Sequence, residues 1–245
     1  MDKARDTSAA GQPPGVRETA RRLQVQAIVE AGERQLAAAG APGLSLRAIA
    51  RELGMASSAI YRYFGSADEL LTELIIRAYS DLARAAEQAA ASTEGAEERF
   101  MAACHACRTW ALEQPHRYAL IYGSPVPAYS APSATIEPGA RVGMLLLGVV
   151  GGAVQAGSGA EDGALGTGVA TDGLMDPGAA RLAEEAGLPP VLLPEAVDTW
   201  AHLFGLISFE LFGHFTNVVA DRRGCFDRMM RLRCRSLLVA AGNPR

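Results

Sequence analysis

The four cysteines and four histidines are the first side chains to weigh for chemistry, and three of them stand together in the string Cys104-His105-Ala106-Cys107. Residues three apart share a helix face, so the string offers ligands to a metal ion. No second pair with matching local spacing completes a site, and neither a metal nor a cofactor is expected. A small enzyme would have to be built on His105 or these thiols. The chain has no nucleophile elbow, phosphate loop or paired catalytic carboxylates, so an enzyme is not expected either. A different chemistry is concentrated in the first sixty residues. From Met1 to Arg62 there are nine Lys or Arg (Lys3, Arg5, Arg17, Arg21, Arg22, Arg34, Arg47, Arg51, Arg62) against six acids, whereas the rest of the chain carries seven more acids than bases. Attraction to phosphate is local to a face, so a basic N-terminal module on an acidic remainder suits a nucleic-acid-reading head on a body that stays clear of the nucleic acid.

The elements that must carry this head follow from spacing. Met1 to Gly15 is polar and contains Gly-Gln-Pro-Pro-Gly, which predicts a disordered arm over 1–15. Val25, Ile28, Val29 and Leu36 then mark one face of a helix from Val16 to Ala39, ended by Gly40 and Pro42. Ser45 offers an N-cap to a two-turn helix whose buried side is Leu46, Ile49, Ala50 and Leu53. After the turn Gly54-Met55-Ala56 a second short helix is expected over Ser57–Phe64, stopped by Gly65. Ser66-Ala67-Asp68-Glu69 has capping-box spacing and opens a long helix that keeps its period to Ala91. Two short helices joined by a glycine-containing turn are the geometry with which a helix-turn-helix lays its second helix in the major groove.

The string from Leu46 to Gly65 resembles the TetR family of regulators, with Gly54, Ile60, Tyr61, Phe64 and the cap after them at the family's offsets. The likeness runs from Val16 to about Ala90. It implies a head over 16–66 that reads double-stranded DNA. Ser57, Ser58 and Ala59 would form the exposed start of the recognition helix, and Tyr61 and Tyr63 would contact phosphate and sugar. Ser45 and Arg47 would anchor the preceding helix on the backbone, and Arg62 would reach guanine or phosphate. Two departures stand out. Ala56 replaces the usual capping serine, for which Ser57 is the substitute, and Ala67 replaces a phosphate-contacting lysine, a loss that Arg17, Arg21 or Arg22 can offset.

Past Ser92 further helical patterns follow over Glu97–Glu113, around Tyr118, over Arg141–Gln155, from Pro194 to Phe215 and over Cys225–Ala241. The expectation is an all-α chain of nine to ten helices, with an effector-binding and dimerisation domain over 67–245. Trp110, Pro115, Tyr118, Trp200, Gly205, Glu210 and Gly213 resemble one C-terminal branch of the family, which implies a dimer formed by the last two long helices as a four-helix bundle, with the intervening helices enclosing an effector pocket. A stripe with Trp200, Phe204, Ile207, Leu211, Phe212 and Phe215 is too wide and aromatic for an exposed surface, and a partner helix is its expected cover. Ligand sites are mostly apolar with a few polar anchors, which nominates Phe100, His105, Trp110, Tyr118, Tyr122 and Met144 as pocket walls. Gly157–Gly173, with six glycines in 17 residues, is expected to be a mobile loop. The polar N-terminus and unpaired thiols suggest a cytoplasmic protein. The most apolar run, Val142–Val154, is 13 residues with four glycines, too short to cross a bilayer.

Overall fold

The structure, a computed structural model, describes residues 15–155, 176, 178, 181, 184 and 193–242. The expected arm, apart from Gly15, and the glycine-rich stretch 157–173 lie outside the described residues. Among the described residues the chain is all helix and turn, with nine α-helices: α1 Val16–Ala39, α2 Leu46–Glu52, α3 Ser57–Ile60, α4 Ala67–Ala91, α5 Ala96–Glu113, α6 Pro115–Tyr122, α7 Ile136–Gln155, α8 Leu193–Leu211 and α9 Arg222–Gly242. Two 3₁₀ turns, Ala41–Gly43 and Ser133–Thr135, precede α2 and α7.

Local chemistry sets most of the boundaries. Gly40 ends α1 at φ +67°, and its N–H donates to the Leu36 carbonyl at 2.9 Å. At the start of α4 the Ser66 hydroxyl accepts from the Glu69 N–H at 3.1 Å, and the Glu69 carboxylate accepts from the Gly65 N–H at 2.6 Å. This is a capping box whose carboxylate reaches one residue further out than the usual form. Pro115 takes the first position of α6, where no amide hydrogen is needed. Gly123 closes α6 in a fold so tight that a Cβ would collide with the Ala119 carbonyl oxygen.

The start of α7 and the end of α8 are among the boundaries that differ from the sequence expectation. α7 starts at Ile136, five residues before Arg141, because Pro138 falls in its first turn, where the missing N–H has no helical partner to lose. Residues 133–153 are thereby long and apolar enough to cross a membrane by length and composition, yet α7 packs against α4, α5 and α9. α8 stops at Leu211, short of Phe215, because the chain turns at Gly213 with φ +83°.

Two cores form. The head core gathers Ile28, Val29, Leu46, Ile49, Ile60 and Phe64 with Leu70 and Leu74 of α4. The body core holds Leu82 and Ala86 of the same helix with Phe100, Cys104, Tyr118, Val150, Leu203, Ile207 and Phe226. α4 is therefore a single rigid element with one end in each core. A bidentate ion pair locks the body: Arg108 of α5 donates to both carboxylate oxygens of Glu210 of α8, at 2.7 and 2.5 Å, with its guanidinium over the Phe226 ring.

Candidate nucleic-acid interface and interior cavity

The helix-turn-helix is built from α2 and α3 standing on α1. The Ser45 hydroxyl caps α2 by accepting from the Ala48 N–H at 3.4 Å, and the Ser45 N–H donates to Gln35 of α1 at 2.9 Å. Gly54 turns the chain at φ +65°, and Met55 N–H closes the turn on the Ala50 carbonyl at 2.8 Å. Ile60 and Phe64 point inward and fix α3 on the head core. The α-helical part of α3 is only four residues, shorter than the expected Ser57–Phe64. Arg62 and Tyr63 continue it as a tighter turn, donating to the carbonyls three residues back at 3.2 and 2.9 Å. Ser57 does not cap this helix; the position is taken by Ala56, which has no side chain to offer.

The eight expected DNA-contact residues all keep accessible surface. Arg47, Ser57, Ser58, Tyr61 and Arg62 are exposed, while Ser45, Ala59 and Tyr63 are half-buried. Tyr61 leaves 45% of its surface open, a large aromatic beside the helix start. Arg21 of α1 sits over the Tyr63 ring at 5.8 Å, which brings the basic start of α1, with Arg17 and Arg22 also exposed, next to the end of α3.

A cavity of about 730 Å³ opens in the body. Its walls come from α4 (Ile75, Tyr79), the end of α6 and the segment after it (Leu120, Ile121 and Gly123 to Val126), α7 (Gly139, Gly143, Met144, Leu147) and α8 (Ala196, Thr199, Trp200). A second cavity of about 720 Å³ lies at the seam between head and body, between the end of α1 and the 41–42 turn on one side and α6 on the other. Leu120 and Gly123–Val126 line both, so this strip of chain is the partition between them.

Of the six expected pocket residues, Met144 lines the body cavity and Tyr122 the seam cavity. The other four are elsewhere. Phe100 and Tyr118 are fully buried in the body core, and the Tyr118 hydroxyl donates to the Phe204 carbonyl at 2.9 Å and meets Ser208 Oγ at 2.8 Å. Trp110 lies in the same core under the Arg117 guanidinium. Cys104 and Cys107 are buried, while His105 between them turns outward to Asp227 of α9 at 3.1 Å. Burial raises the phenols of Tyr118 and Tyr122 far above the usual range, and the Tyr122 hydroxyl is buried with no hydrogen-bond partner among the described residues. His116, on the seam cavity, is held below the ordinary histidine range first by burial and then by the adjacent Arg117. Sequence spacing did not nominate Tyr79, Gly139, Gly143 and Thr199 as walls. The one available signal was a pair of glycines four apart on an apolar helix.

The stripe assigned to dimerisation divides in two. Phe204 and Ile207 are sealed inside the protomer, because α8 lies against α5 and α6 on that side, and Leu211 and Phe215 are partly buried on the same core. Trp200 and Phe212 remain exposed, together with Val197 and Ala201 of the same apolar stripe, with Phe209, which sequence spacing did not single out, and with Met229 and Leu232 of α9.

Head and body each find their counterpart in one family. Residues 28–74 match the family described as bacterial regulatory proteins, tetR family, and residues 100–232 match the tetracyclin repressor-like C-terminal domain. The chain is 42% identical over 217 residues to the HTH-type transcriptional regulator Rv1816 of Mycobacterium tuberculosis and equally to Mb1846 of Mycobacterium bovis, covering 86% of this chain and 91% of each relative. Among solved structures, the regulatory protein SCO4313 is 35% identical with a TM-score of 0.67, covering 91% of this chain and 99% of that one. PfmR, a TetR family transcriptional regulator from Thermus thermophilus, shares the fold at 18% identity and a TM-score of 0.51, covering 86% of this chain and 96% of that one. A basic helix-turn-helix head set on a helical body, matched along both parts, makes this chain a DNA-binding transcriptional regulator that belongs to the TetR family.

Proposed function

We propose that this protein is a ligand-responsive repressor that binds a palindromic operator as a homodimer and leaves the DNA when an effector fills the body cavity. The observation that carries this reading is the position of Leu120. It lines the cavity and also packs against the head core, so a ligand that displaces α6 must move the ground on which the head rests. Arg117 of the same helix adds a polar tie. It pairs with Asp81 of α4 at 2.5 Å and with Glu33 of α1 at 3.5 Å, linking the body to the helix that supports α2.

Ser57, Ser58, Ala59, Tyr61 and Arg62 would enter the major groove, with Ser45, Arg47 and Tyr63 on the phosphates. The exposed faces of α8 and α9 support dimerisation. Asp198 pairs with Arg233 at one end of the two helices, and Glu210 and Phe226 meet at Arg108 toward the other, so the helices run antiparallel. Their outer side presents Val197, Ala201 and Phe209 beside Met229 and Leu232, with Phe209 53% and Leu232 55% exposed. Exposed apolar side chains on two neighbouring long helices are the kind of surface that a second copy covers in a four-helix bundle. The two heads would then reach successive major grooves about 34 Å apart.

The test is electrophoretic shift of the protein's own upstream DNA over a salt series, with the oligomeric state followed by light scattering. A dimer that binds one duplex in a salt-dependent way is expected, and Phe209→Glu with Leu232→Glu should give monomers that lose the site. A dimer with no specific binding at moderate ionic strength would remove the proposal. A reporter gene that rises rather than falls with the protein would make it an activator.

A further inference from the structure

No Asp, Glu, Lys, Arg or His side chain lines the body cavity among the described residues. Its walls do carry hydroxyls, but their protons are already engaged. Thr135 donates to the Pro132 carbonyl and Thr199 to the Glu195 carbonyl, each at 2.8 Å, and Tyr79 donates to the Ile121 carbonyl at 3.3 Å. Thr72 gives its own proton to the Asp68 carbonyl, so in the 2.9 Å contact between Tyr129 and Thr72 the tyrosine is the donor. Ser124, the remaining hydroxyl, sits at the exposed rim. Two aromatic rings of the cavity wall pack on the backbone of α7 at its two wall glycines. An added Cβ on Gly139 would meet the Tyr79 ring at 3.5 Å, and one on Gly143 would meet the Trp200 ring at 3.7 Å.

We infer that the cavity takes an uncharged, largely apolar organic molecule of drug size, seated against the Tyr79 and Trp200 rings where they pack on α7 at Gly139 and Gly143. The inference rests on the reading of this cavity as the effector site. Burying an ion without a countercharge is far more costly than burying an apolar group, and these walls supply no countercharge and, besides the Trp200 indole N–H and Ser124 at the rim, no uncommitted side-chain donor. A volume of about 730 Å³ falls within the range of small-molecule sites.

The experiment uses the full-length protein and the uncharged dye Nile red. Bound dye is competed with three molecules of one skeleton: naphthylmethanol, naphthoate and naphthylmethylammonium. The alcohol is expected to displace the dye at concentrations about tenfold or more below either ion. Gly139→Leu and Gly143→Leu should each weaken dye binding about tenfold or more, since a leucine there must push the Tyr79 or Trp200 ring into the cavity. Gly148→Ala, where an added Cβ meets nothing, should leave it unchanged. Leucine favours helix over glycine, and unchanged far-ultraviolet circular dichroism would verify that the variants fold. The inference fails if either ion competes as well as the alcohol, if Nile red does not bind, or if both leucine variants that fold bind the dye as the parent does. An alcohol that binds without releasing operator DNA would leave the ligand class standing and remove the effector role.

Discussion

Replacing Arg108 with Met removes half of the ion pair that ties α5 to α8. Arg108 is 14% exposed and Glu210 only 7%, and the pair makes two short hydrogen bonds, so the remaining carboxylate would be left inside the body without a partner. Breaking a buried pair in this way costs about 3–5 kcal/mol, and the partial exposure of the guanidinium places this case near the lower end, about 3 kcal/mol. In a chain of this length that corresponds to a fall in Tm of about 6–12 °C. The double variant Arg108→Met with Glu210→Leu removes both charges and keeps apolar volume against Phe226. It should return to within about 1 kcal/mol of the parent, because an apolar replacement of a buried pair is often neutral. The assay is urea and thermal unfolding at one fixed protomer concentration, since association contributes to apparent stability. A single variant within about 1 kcal/mol of the parent, or a double variant no better than the single, would refute the view that this pair is paired and desolvated in the fold.

Three further outcomes follow from the same geometry. Tyr61→Phe removes only an exposed hydroxyl and should weaken operator binding about threefold to tenfold with no change in Tm, whereas Arg47→Ala should also lower the salt slope of binding by about one ion; an unchanged salt slope with lost sequence preference would move Arg47 from phosphate to base. Hydrogen bonding from Arg235, reinforced by Arg231, holds Glu97 below the usual carboxylate range, so its stabilisation is complete above that range and is lost as pH falls through the lowered native value. Unfolding curves between about pH 5 and pH 3 should therefore be flatter for Glu97→Gln than for the parent, and equal slopes would exclude the contribution. Burial pushes the Cys107 and Cys234 thiols up to about 12 and Cys104 well above its ordinary value, so Ellman's reagent at about pH 8 should label at most Cys225 in the native protein and all four thiols in denaturant; rapid labelling of more than one native thiol would contradict that packing.

The elements that depend on neighbours in sequence were legible without a structure. The bounds of α1, the Ser45 and Ser66 caps, the glycine turn at Gly54 and the inward set Ile49, Ile60 and Phe64 are consequences of helical period and local hydrogen bonding, which act over a few residues. The exposure of Ser57, Ser58, Tyr61 and Arg62 follows from that same period. Tertiary structure decided the rest. An aromatic at helical spacing reads the same whether it faces a core, a cavity or a partner, so Phe100, Trp110 and Tyr118 were indistinguishable from Met144 until α4, α7 and α8 were set around the void. Similarly, α8 is apolar on more than one side. Only its docking against α5 and α6 assigns Phe204 and Ile207 to the protomer and leaves Val197, Phe209 and Phe212 outside, because burial belongs to the arrangement of helices and not to any one of them.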